Sequence, residues 1–345
     1  MEKTFESDSA SFGTLTLPFP HFLPTGRAEL RSAVPILDNF SLSPPRLFTD
    51  TRGFAIAARD CLSEHCPGAM MSTRTDPDRG AIEDFAEHDG FFRITRVCDN
   101  AGVAFLAGTA LSHARVLMDL RTMGTTMRPE EVARLLDGYA PWYGYASSAT
   151  DEDPAAPPTR TPPLAHGHAY RPSGRWHLGH QHFFAQIQAL VVALNLLRTA
   201  VDRGDDPGVR THLLLASRLA LAAGAGLRYA GDFRPQDYGS VRDTMTPPRL
   251  NAGFSGMQTR DHHALVQAFR DLPLNALRAR SEEYETFLTA VRAMYVAHVH
   301  VCDHFGGRAG PSLRMEARSH EHSHGEASIV VEALAHSRLH LLERP

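Results

Sequence analysis

Lysine is all but missing from this chain. Lys3 is the only one, so 34 of the 35 basic residues are arginines. The absence excludes several chemistries at once. There is no P-loop lysine for a nucleotide, no lysine to form a Schiff base with pyridoxal phosphate, and no Ser-x-x-Lys nucleophile. Cysteine is scarce too: Cys61, Cys66, Cys98 and Cys302 in 345 residues do not make the disulfide framework of a small secreted protein. Cys61 and Cys66 flank His65, but their spacing is not that of a zinc knuckle, so they read as buried or incidental thiols. An excess of either charge is lacking. A net charge of −4 with 20 histidines leaves no electrostatic footprint for nucleic acid or an anionic membrane. The longest apolar stretches, ALVVALNLL and LLLASRLALAAGAGL, look short for a bilayer span, and the second carries Arg218. The N-terminal MEKTFESDSASFG has no apolar run, so no signal peptide is expected and the expected location is the cytoplasm.

What is there is helical periodicity broken by proline. Residues 1–80 contain Pro18, Pro20, Pro24, Pro35, Pro44 and Pro45, which interrupt every candidate helix and predict an extended, Pro-rich N-terminal arm. Residues 81–145 read as a small helical region in pieces: AIEDFAEH, AFLAGTALSHARVLMDLRTM and RPEEVARLLDGY. His113 in the middle piece is expected to be a surface or satisfied histidine. Residues 146–173, rich in Pro, Ser, Ala and acid, predict a connector. Residues 174–345 predict a helical domain. WHLGHQHFFAQIQALVVALNLLRTAVDRG places apolar side chains at 183, 187, 190, 191, 194 and 197, a wide helical stripe. A second helix (VRTHLLLASRLALAAGAGLRYAG), a broken loop over 232–257, a helix from about Gln258 to Phe269 and a long helix from about Leu274 follow. IVVEALAHSRLHLL closes the chain as a helix, and the preceding His320, His322 and His324 read as a solvated loop. The fold class is therefore mostly α, a helical bundle.

One stretch concentrates chemistry. VRAMYVAHVHVCDHFGGRAG, residues 291–310, packs His298, His300, Cys302 and His304 into one helix end before Gly306-Gly307. His298 and Cys302 stand one turn apart on one face, and His300 and His304 form a second such pair pointing the other way. Three readings fit. An imidazole and a thiol one turn apart can serve a haem, nitrogen to iron and sulfur to the porphyrin edge. Two histidines with one or two ligands from elsewhere can bind zinc, and His298, His300, Cys302 and His304 together could make a zinc-stabilised helical binding module. The third is a core helix with polar residues at a frayed end.

Two further segments bear on the choice: His177, His180 and Gln181 open the helix at Trp176, and GFSGMQTRDHH sets Arg260 beside Asp261, His262 and His263. HQHFFAQIQAL resembles the HQ-x3-LWFKQ segment of tryptophan 2,3-dioxygenases. RDTMTPPRLNAGFSGMQTR is similar to their RD-x-L-x-P-(A/S)-S-GF-x-S-x-QFR segment, with an insertion. HVHVCDHFGGRAGPS resembles their haem-ligand segment, and the three occur in the same order. Together they resemble the histidine-ligated haem-dependent aromatic oxygenase superfamily, over residues 176–312. Tryptophan dioxygenases lack a cysteine one turn after the axial histidine. His298-x-x-x-Cys302 with an upstream histidine resembles instead the 3-methyl-L-tyrosine hydroxylases (peroxygenases) of saframycin-type tetrahydroisoquinoline pathways.

That resemblance implies a tryptophan 2,3-dioxygenase-like fold and a haem with His298 as proximal iron ligand and Cys302 as thioether donor. The second axial histidine would be His262 or His263. His263 is favoured, because it lies three residues from Arg260 and shares its face, whereas His262 points away. Arg260 matches the arginine that holds the amino-acid carboxylate. His180 matches the distal histidine, a base for the substrate phenol, and Trp176 matches a pocket-wall aromatic. The plainer alternatives are an Arg260 paired with Asp261 or another acid, and a His180 that is a satisfied core histidine. GGRAGPS in place of GTGGS, and FFAQI in place of LWFKQ, argue against a tryptophan substrate rather than against haem. The expected activity is hydroxylation of a tyrosine derivative with hydrogen peroxide, or dioxygen and a reductant, with the 251–263 loop as a gate. The competing readings are a tryptophan or indole dioxygenase of the same fold and a bis-histidine haem sensor or electron carrier. Related folds often assemble, so an oligomer is expected by analogy.

Overall fold

Three long helices position everything else. In the computed structural model, which describes residues 13–67, 84–148, 164–167, 171–250, 259–305 and 327–344, α8 spans Pro172–Asp202, α9 Asp206–Ala230 and α13 Ser281–His304. Pro172 stands in the first turn of α8, where a missing N–H costs nothing because that group has no intrahelical partner. Helix α9 starts on Asp205, whose side chain accepts from the Gly208 N–H at 3.0 Å. It packs along both α8 and α13.

The contacts fix the directions. Gly179 lies against Ala230 while Gly226 lies against Phe183, so α8 and α9 are antiparallel. Gly224 lies against Met294, and Gly231 against Val301, so α9 and α13 run parallel. The two ion pairs at the other end, Arg210–Glu283 and Arg280–Asp206, agree with that direction. The start of α8 and the end of α13 therefore meet at the same end of the bundle, across the C-terminus of α9. His180 and His298 belong to those two ends.

The N-terminal third does not form the extended arm that its prolines predict. It contains α1 (Arg27–Asn39), α2 (Pro44–Thr49) and α3 (Thr51–His65). Pro44 and Pro45 occupy the first turn of α2, where proline starts a helix rather than breaking one. Pro35 does sit inside α1, but on its exposed side, where the carbonyl left without an N–H partner can face water. Asp50 caps α3, and Phe54, Ala58, Cys61 and Leu62 form its buried face. The first described residues form β1 (Leu15–Pro18), which pairs in parallel with β2 (Ile94–Val97), Leu15 opposite Ile94. This two-stranded sheet lies against α5 (Ala101–Met123).

The pieces expected over residues 81–145 are present as α4 (Asp84–Phe91), α5, α6 (Pro129–Leu135) and α7 (Tyr139–Ser147). Most of the 146–173 connector lies outside the described residues, as do His320, His322 and His324. Beyond α9 come α10 (Tyr238–Asp243), α11 (Arg260–Arg270), α12 (Leu274–Arg278) and finally α14 (Ala327–Glu343), which packs on α13 and α11. The long helix expected from Leu274 is divided at Ala279–Arg280 into α12 and α13. One hydrophobic core runs from Leu15 and Leu17 through α5, α8 and α9 to Leu342.

The apolar stretches that look short for a bilayer are parts of longer helices. Helices α5, α8 and α9 are long and apolar enough to cross a membrane by length and composition, but 78% of each apolar window is buried inside the protein. Their hydrophobicity is core packing.

Candidate active site

The first turns of α8 supply one wall. His180 Nδ1 meets the Trp176 carbonyl oxygen at 2.7 Å, one turn back, so Nδ1 carries the proton and Nε2 is the ring's acceptor. Phe92 stacks on the imidazole at 4.5 Å and 15°, and Trp176 lies against it at 4.3 Å. Burial pushes the His180 pKa down to about 3, and the neighbouring His177 and His298 push the same way. His180 is thus a neutral base in an aromatic slot, within electrostatic reach of His298. His177 faces Phe91 at 4.8 Å, with Nδ1 on the Ser173 carbonyl. Trp176 Nε1 is buried and has no hydrogen-bond partner among the described residues. Around it, Tyr238 stacks on Phe305 at 4.2 Å and 9°, and Phe305 on Phe233 at 4.8 Å.

The end of α13 supplies the opposite wall. His298 is half-buried, and burial pushes its pKa down to about 4. Cys302, one turn on, is half-buried; burial and then Asp303 raise its thiol to about 11, so it is held as the thiol. The four-residue zinc reading does not assemble. His300 is exposed, His304 hydrogen-bonds the Phe233 carbonyl at 3.1 Å, and no group of three or more metal-ligating side chains gathers among the described residues.

Helix α11 enters from the side. Thr259 caps it, accepting from the His262 N–H at 3.2 Å. Arg260 is 6% exposed, donates from Nε to Asp89 at 3.1 Å, and lies between the rings of Phe19 (5.3 Å) and Phe85 (5.0 Å). Among the described residues its acid is Asp89 and not Asp261. Asp261 instead accepts from both terminal nitrogens of Arg96, at 3.0 and 2.6 Å, and from Gln188 of α8 at 2.8 Å.

The two adjacent histidines go separate ways. His263 is exposed and shares the ring of Phe85 with Arg260, as their spacing predicts. His262 does point away from Arg260, but it points inward. It is buried, with Nε2 3.5 Å from the Tyr295 hydroxyl, one turn before His298 on α13. The spacing that favours His263 therefore selects the exposed histidine, and the buried one is His262. The 251–258 part of the proposed gate lies outside the described residues.

The donor set fits a haem. It offers neutral imidazoles at His180 and His298, a buried imidazole at His262, a sulfur one turn from His298, a surrounding aromatic wall, and an orphaned Trp176 N–H that a ligand's acceptor would satisfy. Sequence reasoning missed Asp89, Arg96, Phe92 and Tyr238. Only Arg96 carried a signal, an arginine inside the apolar strand ITRV.

The comparisons with known proteins agree with this architecture. The family described as SfmD 3-methyl-L-tyrosine peroxygenase matches residues 16–287. That match reaches His180 and Arg260 and ends before His298 and Cys302. The chain is 28% identical over 312 residues to a 3-methyl-L-tyrosine peroxygenase of Streptomyces lavendulae, covering 86% of this chain and 84% of that protein. The fold matches the crystal structure of reduced SfmD, soaked with sodium hydrosulfite, with a TM-score of 0.66 and 25% identity, over 86% of this chain and all of that one.

Proposed function

Because the chain belongs to the SfmD 3-methyl-L-tyrosine peroxygenase family and is an oxidoreductase of the peroxygenase kind, we propose that it converts 3-methyl-L-tyrosine to 3-hydroxy-5-methyl-L-tyrosine. The ring C–H ortho to the phenol oxygen becomes C–OH. Hydrogen peroxide supplies that oxygen and leaves its second as water; dioxygen with a reductant is the other source. The product would serve the assembly of a tetrahydroisoquinoline antibiotic in the cytoplasm.

The cofactor of this reading is a haem, which when bound supplies the redox-active iron that activates peroxide. His298 would hold the iron and Cys302 the porphyrin edge. Of the two candidates for a second histidine that would hold the iron, burial and its approach to α13 favour His262 over His263. His180 would accept the phenol proton at Nε2 while Nδ1 stays anchored to Trp176. Arg260, whose Nε donates to Asp89, would hold the substrate carboxylate through its guanidinium. Trp176, Tyr238 and Phe305 would exclude water from the ring.

The observation that carries the reading is the meeting of His180 and His298, both neutral, at one end of the bundle beside Cys302. Incubation with 3-methyl-L-tyrosine and 18O-labelled peroxide tests it. A product with one labelled oxygen and an intact ring is expected. In a parallel incubation with L-tryptophan and dioxygen, a ring-opened product carrying two oxygens would mean a dioxygenase, and haem binding without turnover of either amino acid would mean a sensor.

A further inference from the structure

Two carboxylates and two guanidinium groups meet where four chain segments cross. Asp89 of α4 accepts from Arg96 Nη2 at 2.7 Å and Nε at 3.0 Å through Oδ1, and from Arg260 Nε at 3.1 Å through Oδ2. Arg96 of β2 reaches on to Asp261, and Gln188 of α8 ties Asp261 to the Pro18 carbonyl at the end of β1, at 2.8 Å to each. Burial opposes the charge on Arg96, but Asp261 and Asp89 outweigh it and raise its pKa. The quartet is formally neutral and its side chains are nearly or wholly out of solvent. A side chain as long as arginine has several rotamers to lose. Here Arg260 is fixed on three sides: by Asp89 at Nε, and by Phe19 and Phe85 on its faces.

We propose that Asp89, braced by Arg96, is a positioning residue that orients the guanidinium of Arg260 for the substrate's carboxylate, and so makes the enzyme select an amino acid over its decarboxylated amine. This rests on the reading that Arg260 holds that carboxylate. Asp89 does not touch the reacting ring. Its contribution shows only in ligands that carry the group Arg260 reads.

The test compares kcat/KM for 3-methyl-L-tyrosine with kcat/KM for the corresponding amine lacking the carboxylate, in wild type and variants. Asp89→Asn should lower the acid-to-amine ratio about tenfold, the loss of one charge-assisted hydrogen bond, chiefly through KM for the amino acid. Arg260→Ala should lower it at least as far, and the double variant no further, because Asp89 acts through Arg260. Asp89→Glu keeps the charge but displaces the carboxylate by one methylene, and should lower the ratio too. It keeps the test open if Asp89→Asn does not fold. A merely structural role would depress both rates together and leave the ratio unchanged, overturning the proposal. If Arg260→Ala itself leaves the ratio unchanged, the reading beneath the proposal fails instead.

Discussion

His180 shows how local contacts set chemistry at the scale of one residue. An unperturbed imidazole protonates near pH 6.5 and would be half lost as a base there. Burial under Phe92 and Trp176 pushes His180 down to about 3, so the neutral base persists across the physiological range. The pH profile of kcat/KM should therefore show no acid limb from His180 between pH 5 and 8. An acid limb near 6.5 that disappears in His180→Gln would contradict this. His180→Gln itself should reduce kcat by about 10²–10⁴-fold, the usual contribution of a positioned base. At this scale the sequence was partly readable. The i, i+4 pair His298–Cys302 and the pair Arg260–His263 follow from helical spacing alone. The inward turn of His262 towards Tyr295 and the pairing of Arg260 with Asp89 do not, because both depend on which helix lies alongside.

At the scale of elements, the close packing of α8 on α9 holds the site's two walls together. A Cβ on Gly179 would lie 2.4 Å from both Cα and Cβ of Ala230, and 2.8 Å from its nitrogen. These atoms belong to a helix backbone and cannot swing aside. Gly179→Ala should cost about 1–3 kcal/mol, read as a lower urea midpoint. Gly226, on the facing helix, would meet nothing nearer than 3.5 Å, so Gly226→Ala should be neutral or stabilise by up to about 1 kcal/mol through helix propensity. Equal effects at the two positions would show that the interface is looser than described. Helices α8, α9 and α13 were legible because their apolar positions repeat with helical period over many turns. The helices of the N-terminal third were not, because prolines at the first turn of a helix look the same in sequence as prolines that end one. The β1–β2 pair was hidden for a different reason. Each strand is four residues long, and its partner lies far away in the chain.

At the scale of the whole molecule, a second group of buried histidines links the fold to pH. His113 donates from Nδ1 to the Thr109 carbonyl at 2.8 Å and accepts at Nε2 from the Gly138 N–H at 3.2 Å and from Gln186 at 3.1 Å. His182 donates from Nε2 to the Leu135 carbonyl at 2.9 Å, and its Nδ1 lies 3.2 Å from the Ser112 hydroxyl. Burial lowers His113 to about 4, and burial with His113 beside it lowers His182 well below its ordinary value. Both are neutral when folded and would take up protons on unfolding below about pH 6.5. Their contribution is therefore complete above that pH and is lost as pH falls from about 6.5 through 4. Stability from urea unfolding should fall across that window. His113→Gln should remove about one proton's worth of the slope, ~1.4 kcal/mol per pH unit. An unchanged slope would mean that His113 is not neutral in the fold.

The central claim, that His298 and Cys302 hold a covalently attached haem, is tested most directly by acid–acetone extraction of the purified protein followed by a pyridine haemochrome spectrum of both phases. The account predicts that haem stays with the polypeptide in the wild type and is extracted from Cys302→Ala. Haem that extracts completely from the wild type would contradict the thioether, and a protein that carries no haem would contradict the site.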